Sequence, residues 1–207
     1  MKIEVNPPDV NISSIDFRPV DSRTISFGLN AIKNVGTKAL EQIIESRKEK
    51  ERYESIYDFT ANVALKTVNK KVLESLIMAG AMDSLEGNRA QKFNEIEVAL
   101  KYGQNEQDAK SKNQVDLFGG SQSNGTSDSM VPVLAQIEEW PESKMLENEK
   151  EVLGMYLSGH PLLKYADDLE EYSNFDFTDK INYHDQDKIR LGGAITDLKL
   201  HFEKNIN

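Results

Sequence analysis

The feature that most restricts the fold of this chain is a series of short helical patterns between residues 29 and 102. Apolar residues recur there at intervals of three and four, which places them on one face of a helix. Thr37 stands where a helix N-cap is expected, and Ser55 and Asn69 begin the next two helical patterns. Gly80 stands where the second of these ends, and Gly87-Asn88 directly precede the last pattern. About five or six short helices, joined by loops of a few residues, predict a compact and mainly α domain.

The segments on either side of this helical domain have different patterns. Residues 1–28 alternate apolar and polar positions around a turn, which predicts a small N-terminal β hairpin. Residues 103–140 predict an acidic, flexible linker, because its Gly/Ser-rich tract has too little apolar surface to become ordered. Residues 141–186 return to helical patterns and predict a helical connector. Residues 187–207 predict a single strand.

The 207 residues carry a formal net charge of −10, and the acidic excess lies in one block. Residues 102–184 contain 6 Lys or Arg against 16 Asp or Glu. The absence of cysteine excludes a disulfide scaffold, a thiolate metal site and a Cys nucleophile. The three histidines, His160, His184 and His201, are too far apart for a helical HExxH zinc site. No apolar run reaches the roughly 18–20 residues that span a bilayer, so we expect a cytoplasmic protein without a membrane partner.

The stretch from Leu29 to Leu40 has the form of a helix-hairpin-helix: a short apolar helix, a tight turn and a second helix with an outward-facing N-terminus. Gly36 is expected to take a positive φ and to allow close approach to the turn. The unpaired N–H groups of the second helix, with its positive dipole end, form an anion site. Lys33 and Lys38 would add charge, and Thr37 could add a hydroxyl donor. The alternative is an ordinary pair of packed helices.

A second element of the same kind runs from Leu65 to Val72. Basic residues again stand at a helix N-terminus, where the dipole disfavours cations, and this placement suggests an anionic ligand. Contacts to the phosphates of DNA hold its backbone but do not read its base sequence. The candidate DNA-binding residues of the two elements are Lys33, Asn34, Val35, Gly36, Thr37, Lys38, Thr67, Asn69, Lys70 and Lys71.

The segment Gln114-Val115-Asp116-Leu117-Phe118 directly precedes the Gly/Ser-rich tract. An apolar pair in a polar linker has no core to enter and needs an external pocket. The segment resembles the short peptide by which bacterial replication proteins bind the sliding clamp. In that interpretation Leu117 and Phe118 fill a hydrophobic pocket and Gln114 forms a hydrogen bond at its rim. The candidate clamp-binding residues are Gln114, Asp116, Leu117 and Phe118. The alternative is that the Leu-Phe pair folds back onto the helical domain.

Taken in order, several motifs resemble the bacterial replicative DNA polymerase III alpha-subunit family. They are Pro7 to Asn11, Ile25 to Leu29, Ala31 to Gly36, Leu73 to Asp83, the Gln114–Phe118 peptide and Glu149 to Leu162. The resemblance implies that residues 1–28 end the fingers region and that residues 29–102 form a tandem helix-hairpin-helix domain. It also implies that the C-terminal residues begin an OB-fold, truncated after about its first strand. This family usually has Gly where the chain has Asn34, and because Asn tolerates left-handed backbone we expect the hairpin to be kept.

The resemblance also implies a function and a set of partners. The partners are duplex DNA, the sliding clamp (beta subunit) and other replisome subunits, which bind through a C-terminal region that this chain lacks. The family is a DNA-directed DNA polymerase whose palm holds Mg²⁺; we expect no palm, catalytic residue, metal or cofactor in this chain, and no activity from it alone. The predicted function is that of a non-catalytic fragment that binds DNA and tethers the polymerase to the clamp. The alternative is a clamp-binding scaffold that does not bind DNA.

Overall fold

The computed structural model describes residues 3–116, 131–175, 188–195 and 198–199. The chain falls into two compact units, Met1–Ser158 and Gly159–Asn207. The first unit holds the predicted hairpin and the predicted helical domain. None of the helices in the described ranges combines the length and the hydropathy of a membrane span.

A three-stranded sheet begins the first unit. Its strands are β1 (Glu4–Asn6), β2 (Arg18–Pro19) and β3 (Thr24–Ser26), in the order β1-β3-β2. β2 and β3 pair antiparallel, which confirms the predicted hairpin, and the carboxylate of Asp21 accepts N–H bonds from Arg23 and Thr24 in the turn. β1 pairs with β3 in parallel, with Val5 opposite Ile25. It supplies the third strand that a two-stranded hairpin needs for stability in water.

Six α-helices lie in the described part of the first unit. After a 3-10 turn (Leu29–Ala31) they are α1 (Thr37–Lys50), α2 (Ile56–Asn62), α3 (Lys70–Met78), α4 (Arg89–Asn94), α5 (Ile96–Asp116) and α6 (Glu142–Leu153). The side chains of Ser55, Asn69 and Asn88 each accept an N–H from the third residue of the helix that follows. Gly80 follows the C-cap of α3 with a φ of 75°, as predicted. The sequence and the structure therefore agree on how α2, α3 and α4 begin.

The helices enclose one hydrophobic core, to which α1, α2, α3 and α5 contribute buried residues. The rings of Tyr53 and Phe59 meet edge to face with centroids 4.8 Å apart. Tyr57 donates its hydroxyl to Glu95, and burial together with this bond raises the pKa of Tyr57 to about 12. In the described residues no buried side-chain N or O atom lacks a hydrogen-bond partner. The core therefore gives the turns at its surface a well-packed support.

Two predictions about helix ends are wrong. Thr37 is the first residue of α1, and the N-cap is Gly36, which has no side chain to contribute. The helix α5 continues to Asp116, so residues 103–116 are helical and the linker was predicted to begin too early. The Gln107 amide donates to two carbonyl oxygens at the end of α2, each at 2.9 Å. Contacts of this kind with α2 stabilise a polar helical extension that shows no apolar periodicity.

Residues 131–140, also predicted to belong to the linker, contain neither helix nor strand and pack against α4. We call this segment the strap. The ring of Trp140 in the strap lies 5.3 Å from the ring of Phe93, at an angle of 67°. The C-terminal part of the predicted linker is therefore docked on the helical domain.

The second unit contains a 3-10 turn (Leu163–Tyr165) and the helix α7 (Ala166–Tyr172), both within the predicted helical connector. The predicted C-terminal strand is not formed in residues 188–195. Within this range, Arg190 contacts Asn174, which follows α7: the N–H of Asn174 donates to the Arg190 carbonyl oxygen at 3.1 Å, and the N–H of Arg190 donates to Asn174 Oδ1 at 2.7 Å. A strand is defined by pairing with a neighbour, and the described part of this unit offers none. The OB-fold stays a prediction.

Candidate nucleic-acid interface

The first predicted phosphate site is built on the turn that precedes α1. Asn34 has a φ of 67°, so Asn takes the left-handed position, as expected. Its side-chain amide donates to Ser75 Oγ at 3.1 Å and joins the turn to α3. Gly36 has a φ of −79°, and the prediction of a positive φ there is wrong because Asn34 already reverses the chain. The N–H of Lys33 donates to the carbonyl oxygen of Val152 in α6 at 2.8 Å, which fixes the turn from the other side.

The start of α1 is open to solvent. Among the described residues, no group accepts the backbone N–H bonds of Gly36, Thr37 and Lys38, whereas the N–H of Ala39 is bonded to the Gly36 carbonyl. A Cβ placed on Gly36 would meet no atom within 4 Å, so this end of the helix is uncovered. Lys33 and Lys38 stand on either side of it in the sequence, and both are exposed. Three free donors, the positive end of a 14-residue helix and two cations suit a phosphate group.

Val35 has a different role from its neighbours in the first hairpin. Its side chain is buried and belongs to the same core cluster as Ile32. Its N–H donates back to the carbonyl oxygen of Ile32 at 3.2 Å. Val35 therefore anchors the turn to the core through its side chain, and its part in DNA binding stays a prediction.

At the second predicted site, at the start of α3, most of the predicted residues already have hydrogen-bond partners within the chain. The side chain of Asn69 accepts a backbone N–H of α3 and caps the helix. The ammonium of Lys70 lies 2.6 Å from a carboxylate oxygen of Glu97, and this hydrogen bond raises the pKa of Lys70. Thr67 donates its hydroxyl to the turn backbone. Of the four predicted residues, only Lys71 is exposed without a side-chain partner in the described ranges.

The predicted clamp-binding peptide begins within α5. Gln114 and Asp116 belong to the last turn of that helix. Leu117 and Phe118 lie outside the described residues. The four residues stay a prediction, and the apolar pair directly follows the end of α5 in the sequence.

A charged cluster that was not singled out from the sequence joins α4 to α6. Arg89 donates to Glu149 Oε1 at 3.0 Å and to Asp83 Oδ2 at 2.7 Å. Glu149 is buried and also accepts the N–H groups of Leu157 and Ser158. Burial alone would raise the pKa of Glu149, but these N–H bonds and Arg89 lower it below its ordinary value. The ionised pair therefore holds α6 and the turn after it against the helical domain. The sequence signals were that Asp83 ends one of the motifs shared with the resembled family and that Glu149 opens another.

A cavity of about 320 Å³ lies beside this cluster. It is lined by charged side chains of both signs and by three uncharged ones: Asp83, Asn88, Arg89, Lys92, Glu139, Met145 and Ser158. Lys92 is buried, which lowers its pKa, and its ammonium donates to the carbonyl oxygens of Leu85 and Gly87. Every buried side-chain N or O atom in the described residues already has a hydrogen-bond partner, so no such buried group of the lining is left to select a ligand. No cluster of His, Asp or Glu suited to a metal ion occurs in the described ranges.

Comparison with known proteins shows which proteins this chain is related to. A family model described as a helix-hairpin-helix motif matches residues 2–92, which include the sheet and both hairpins. The DNA polymerase III alpha subunit of Vibrio cholerae is 36% identical over 174 residues, 84% of this chain and 15% of the relative. That of Escherichia coli K12 is 36% identical over 172 residues (83% and 15%), and that of Saccharopolyspora erythraea is 36% identical over 214 residues (99% and 18%). The chain belongs to the DNA polymerase III alpha-subunit family. The resemblance seen in the sequence motifs is thereby confirmed.

The DNA polymerase III alpha subunits in this comparison are much longer than the chain, which spans 15–18% of their length. The chain therefore corresponds to one segment of an alpha subunit. The helix-hairpin-helix match lies in that segment and covers the open start of α1.

Proposed function

We propose that this chain is the part of a replicative DNA polymerase that holds duplex DNA by its phosphates and tethers the polymerase to the sliding clamp. The open start of α1 is the observation that carries the DNA-binding half. Its backbone N–H groups, helix dipole and two lysines suit phosphate oxygens. Because all phosphates of a duplex are alike, such contacts give affinity and position but no sequence preference. The helix-hairpin-helix match and the alpha-subunit relatives support this function.

DNA binding by the chain alone should be weak and strongly dependent on salt. The start of α1 can contact only a few phosphates, and each contact adds about 0.9 to the slope of log K against log[salt]. The acidic excess in residues 102–184 also repels DNA. Stable attachment near the primer end therefore benefits from a second contact.

The sliding clamp would provide that second contact through the Gln114–Phe118 peptide. Attachment to a ring that encircles the same DNA raises the effective concentration of the polymerase at the primer end. Processive synthesis would then follow from two weak attachments and not from one tight DNA contact. In this function the chain needs no catalytic residue and no Mg²⁺ of its own.

Lys38→Glu is expected to weaken duplex binding about tenfold at low salt and to reduce the salt slope by about one. The new carboxylate would stand beside the N–H groups that are offered to a phosphate. An acidic residue in the first turn of a helix suits the dipole, so the fold should not be destabilised. Fluorescence anisotropy of a labelled duplex, titrated at several salt concentrations, measures both quantities.

Lys48→Glu is the matched control for this prediction. Lys48 is exposed at the other end of α1, about 15 Å along the helix from Lys38. Charge reversal there opposes the dipole and costs up to about 1 kcal/mol of stability. Lys48→Glu should therefore lose some stability and keep most of its DNA affinity. Lys38→Glu should keep its stability and lose DNA affinity. Equal affinities for both variants and the parent would contradict the phosphate site. That outcome would favour the alternative of a clamp-binding scaffold that does not bind DNA. The second hairpin is consistent with this alternative, because Thr67, Asn69 and Lys70 already have hydrogen-bond partners within the chain.

Gly36→Ala separates DNA contact from folding at the same turn. The backbone at Gly36 is extended, and a Cβ there meets no atom within 4 Å. The smaller entropy of unfolded Ala offsets its poorer capping, so the free energy of unfolding should change by less than about 1 kcal/mol. The methyl group would occupy the space of a bound phosphate and weaken a charge-assisted hydrogen bond, so duplex affinity should fall about fivefold or more. Thermal unfolding and the anisotropy titration measure the two effects. Parent-like affinity would mean that DNA does not approach this turn.

A further inference from the structure

Lys70 at the start of α3 and Glu97 at the start of α5 form an ion pair on the surface of the helical domain. The Lys70 ammonium lies 2.6 Å from Glu97 Oε1. The two side chains are 53% and 77% exposed, so water and dissolved ions reach both of them. Because exposed pairs of this kind add little to folding stability, another anion can replace the carboxylate without unfolding the domain.

The position of this pair is fixed by the hydrophobic core. Val72 on α3 and Ile96 on α5 are both buried and belong to the same core cluster. The two helix starts are therefore held beside each other, and only rotation of the side chains can separate the pair. Glu97 thus stays within reach of Lys70 at a high effective concentration when another anion approaches.

The surroundings of Lys70 otherwise suit a phosphate group. Lys66 and Lys71, its neighbours in the second hairpin, are both exposed. Among the described residues, no group accepts the backbone N–H of Lys70 or Lys71. The helix-hairpin-helix match, which covers residues 2–92, includes this turn but ends before Glu97. The carboxylate that occupies Lys70 therefore comes from outside the matched motif.

We propose that Glu97 competes with DNA phosphates for Lys70 and thereby weakens the second hairpin as a DNA contact. The inference rests on the DNA-binding half of the proposed function. A phosphate that binds Lys70 must first displace the carboxylate, so one ion pair replaces another and little affinity is gained. The displaced carboxylate would then stand beside the DNA backbone and repel it. Most of the DNA affinity of the parent chain therefore comes from the open start of α1.

Glu97→Gln in the full chain tests this competition, with Glu49→Gln as the matched control. Both variants lose one exposed carboxylate, but Glu49 forms no hydrogen bond or ion pair among the described residues. With Glu97 neutralised, Lys70 gains a phosphate contact, so affinity for a labelled duplex should rise about three- to tenfold at low salt and the salt slope should grow by about one. Glu49→Gln should keep the parental slope and change the affinity by less than about twofold. Fluorescence anisotropy at several salt concentrations measures both quantities.

A double variant, Lys70→Met with Glu97→Gln, separates competition for Lys70 from simple repulsion of DNA. Methionine keeps much of the apolar stem of the lysine and removes its charge. If Glu97 acts by occupying Lys70, the double variant should lose the gain and return to the parental affinity and slope. A gain that persists without Lys70 would overturn the proposal. Equal titrations for Glu97→Gln and Glu49→Gln would overturn it as well.

Lys38→Glu, titrated in the same series, distinguishes this inference from the proposed function. Weaker binding by Lys38→Glu, with no difference between Glu97→Gln and Glu49→Gln, would refute the competition alone. Parental binding by Lys38→Glu, with a gain in Glu97→Gln that depends on Lys70, would refute the phosphate site at α1 and support the competition. An absence of duplex binding by the parent and by every variant would refute both.

Discussion

Arg89→Met is expected to lower the free energy of unfolding by about 3–5 kcal/mol. Methionine keeps much of the apolar stem of Arg89 but removes the charge. Glu149, whose side chain is 1% exposed, would then hold a buried negative charge without its cation. A loss of this size is a large part of the total stability of an ordinary domain, which is about 5–15 kcal/mol. Urea denaturation followed by circular dichroism measures it.

Two matched variants identify the buried charge as the cause. Asp83→Asn breaks the other ion pair of Arg89, but because the Asp83 side chain is 49% exposed the loss should stay below about 1 kcal/mol. Arg89→Met with Glu149→Gln removes the buried charge and keeps an acceptor for the N–H groups of Leu157 and Ser158. This double variant should regain more than about 1 kcal/mol of the stability lost by Arg89→Met. A double variant no more stable than Arg89→Met would rule out this explanation.

Local sequence signals predicted the parts of the fold whose causes are local. Ser55 and Asn69 mark helix starts because their side chains accept an N–H three residues further on. The hairpin before α1 was also predicted, but the residue that reverses its chain was not. The pattern offered both Asn34 and Gly36, and the structure uses Asn34 because its side chain can also bond to α3.

Contacts between distant segments could not be predicted from local patterns. Arg89 and Glu149 are 60 positions apart, and nothing beside either residue indicates the other. In the sequence, Glu139 does not differ from the other acidic residues of its block, and only the structure shows that it accepts an N–H at the start of α4. The sequence predicted Lys70 as a cation available for phosphate, but in the structure its ammonium lies 2.6 Å from a carboxylate oxygen of Glu97. A sequence therefore shows which charges a site could use, but tertiary pairing decides which of them stay available for DNA.

Leu117→Ala together with Phe118→Ala is expected to abolish binding of this chain to the sliding clamp. Two apolar side chains that fill a pocket each contribute about 2–4 kcal/mol at an interface, so the loss should exceed about 100-fold. Gln114→Ala removes only a hydrogen bond at the rim and should cost about tenfold. Isothermal titration of each variant with purified clamp measures these losses.

Leu163→Ala with Tyr165→Ala is the matched control, because these side chains are also apolar and exposed but belong to the second unit. That control should bind the clamp as the parent does. The Leu117 and Phe118 variant should still bind duplex DNA with parental affinity, since the start of α1 is unchanged. Retained clamp binding would remove tethering from the proposed function and leave the DNA-holding surface alone. Loss of clamp binding with unchanged DNA binding would establish two separate attachments on this chain.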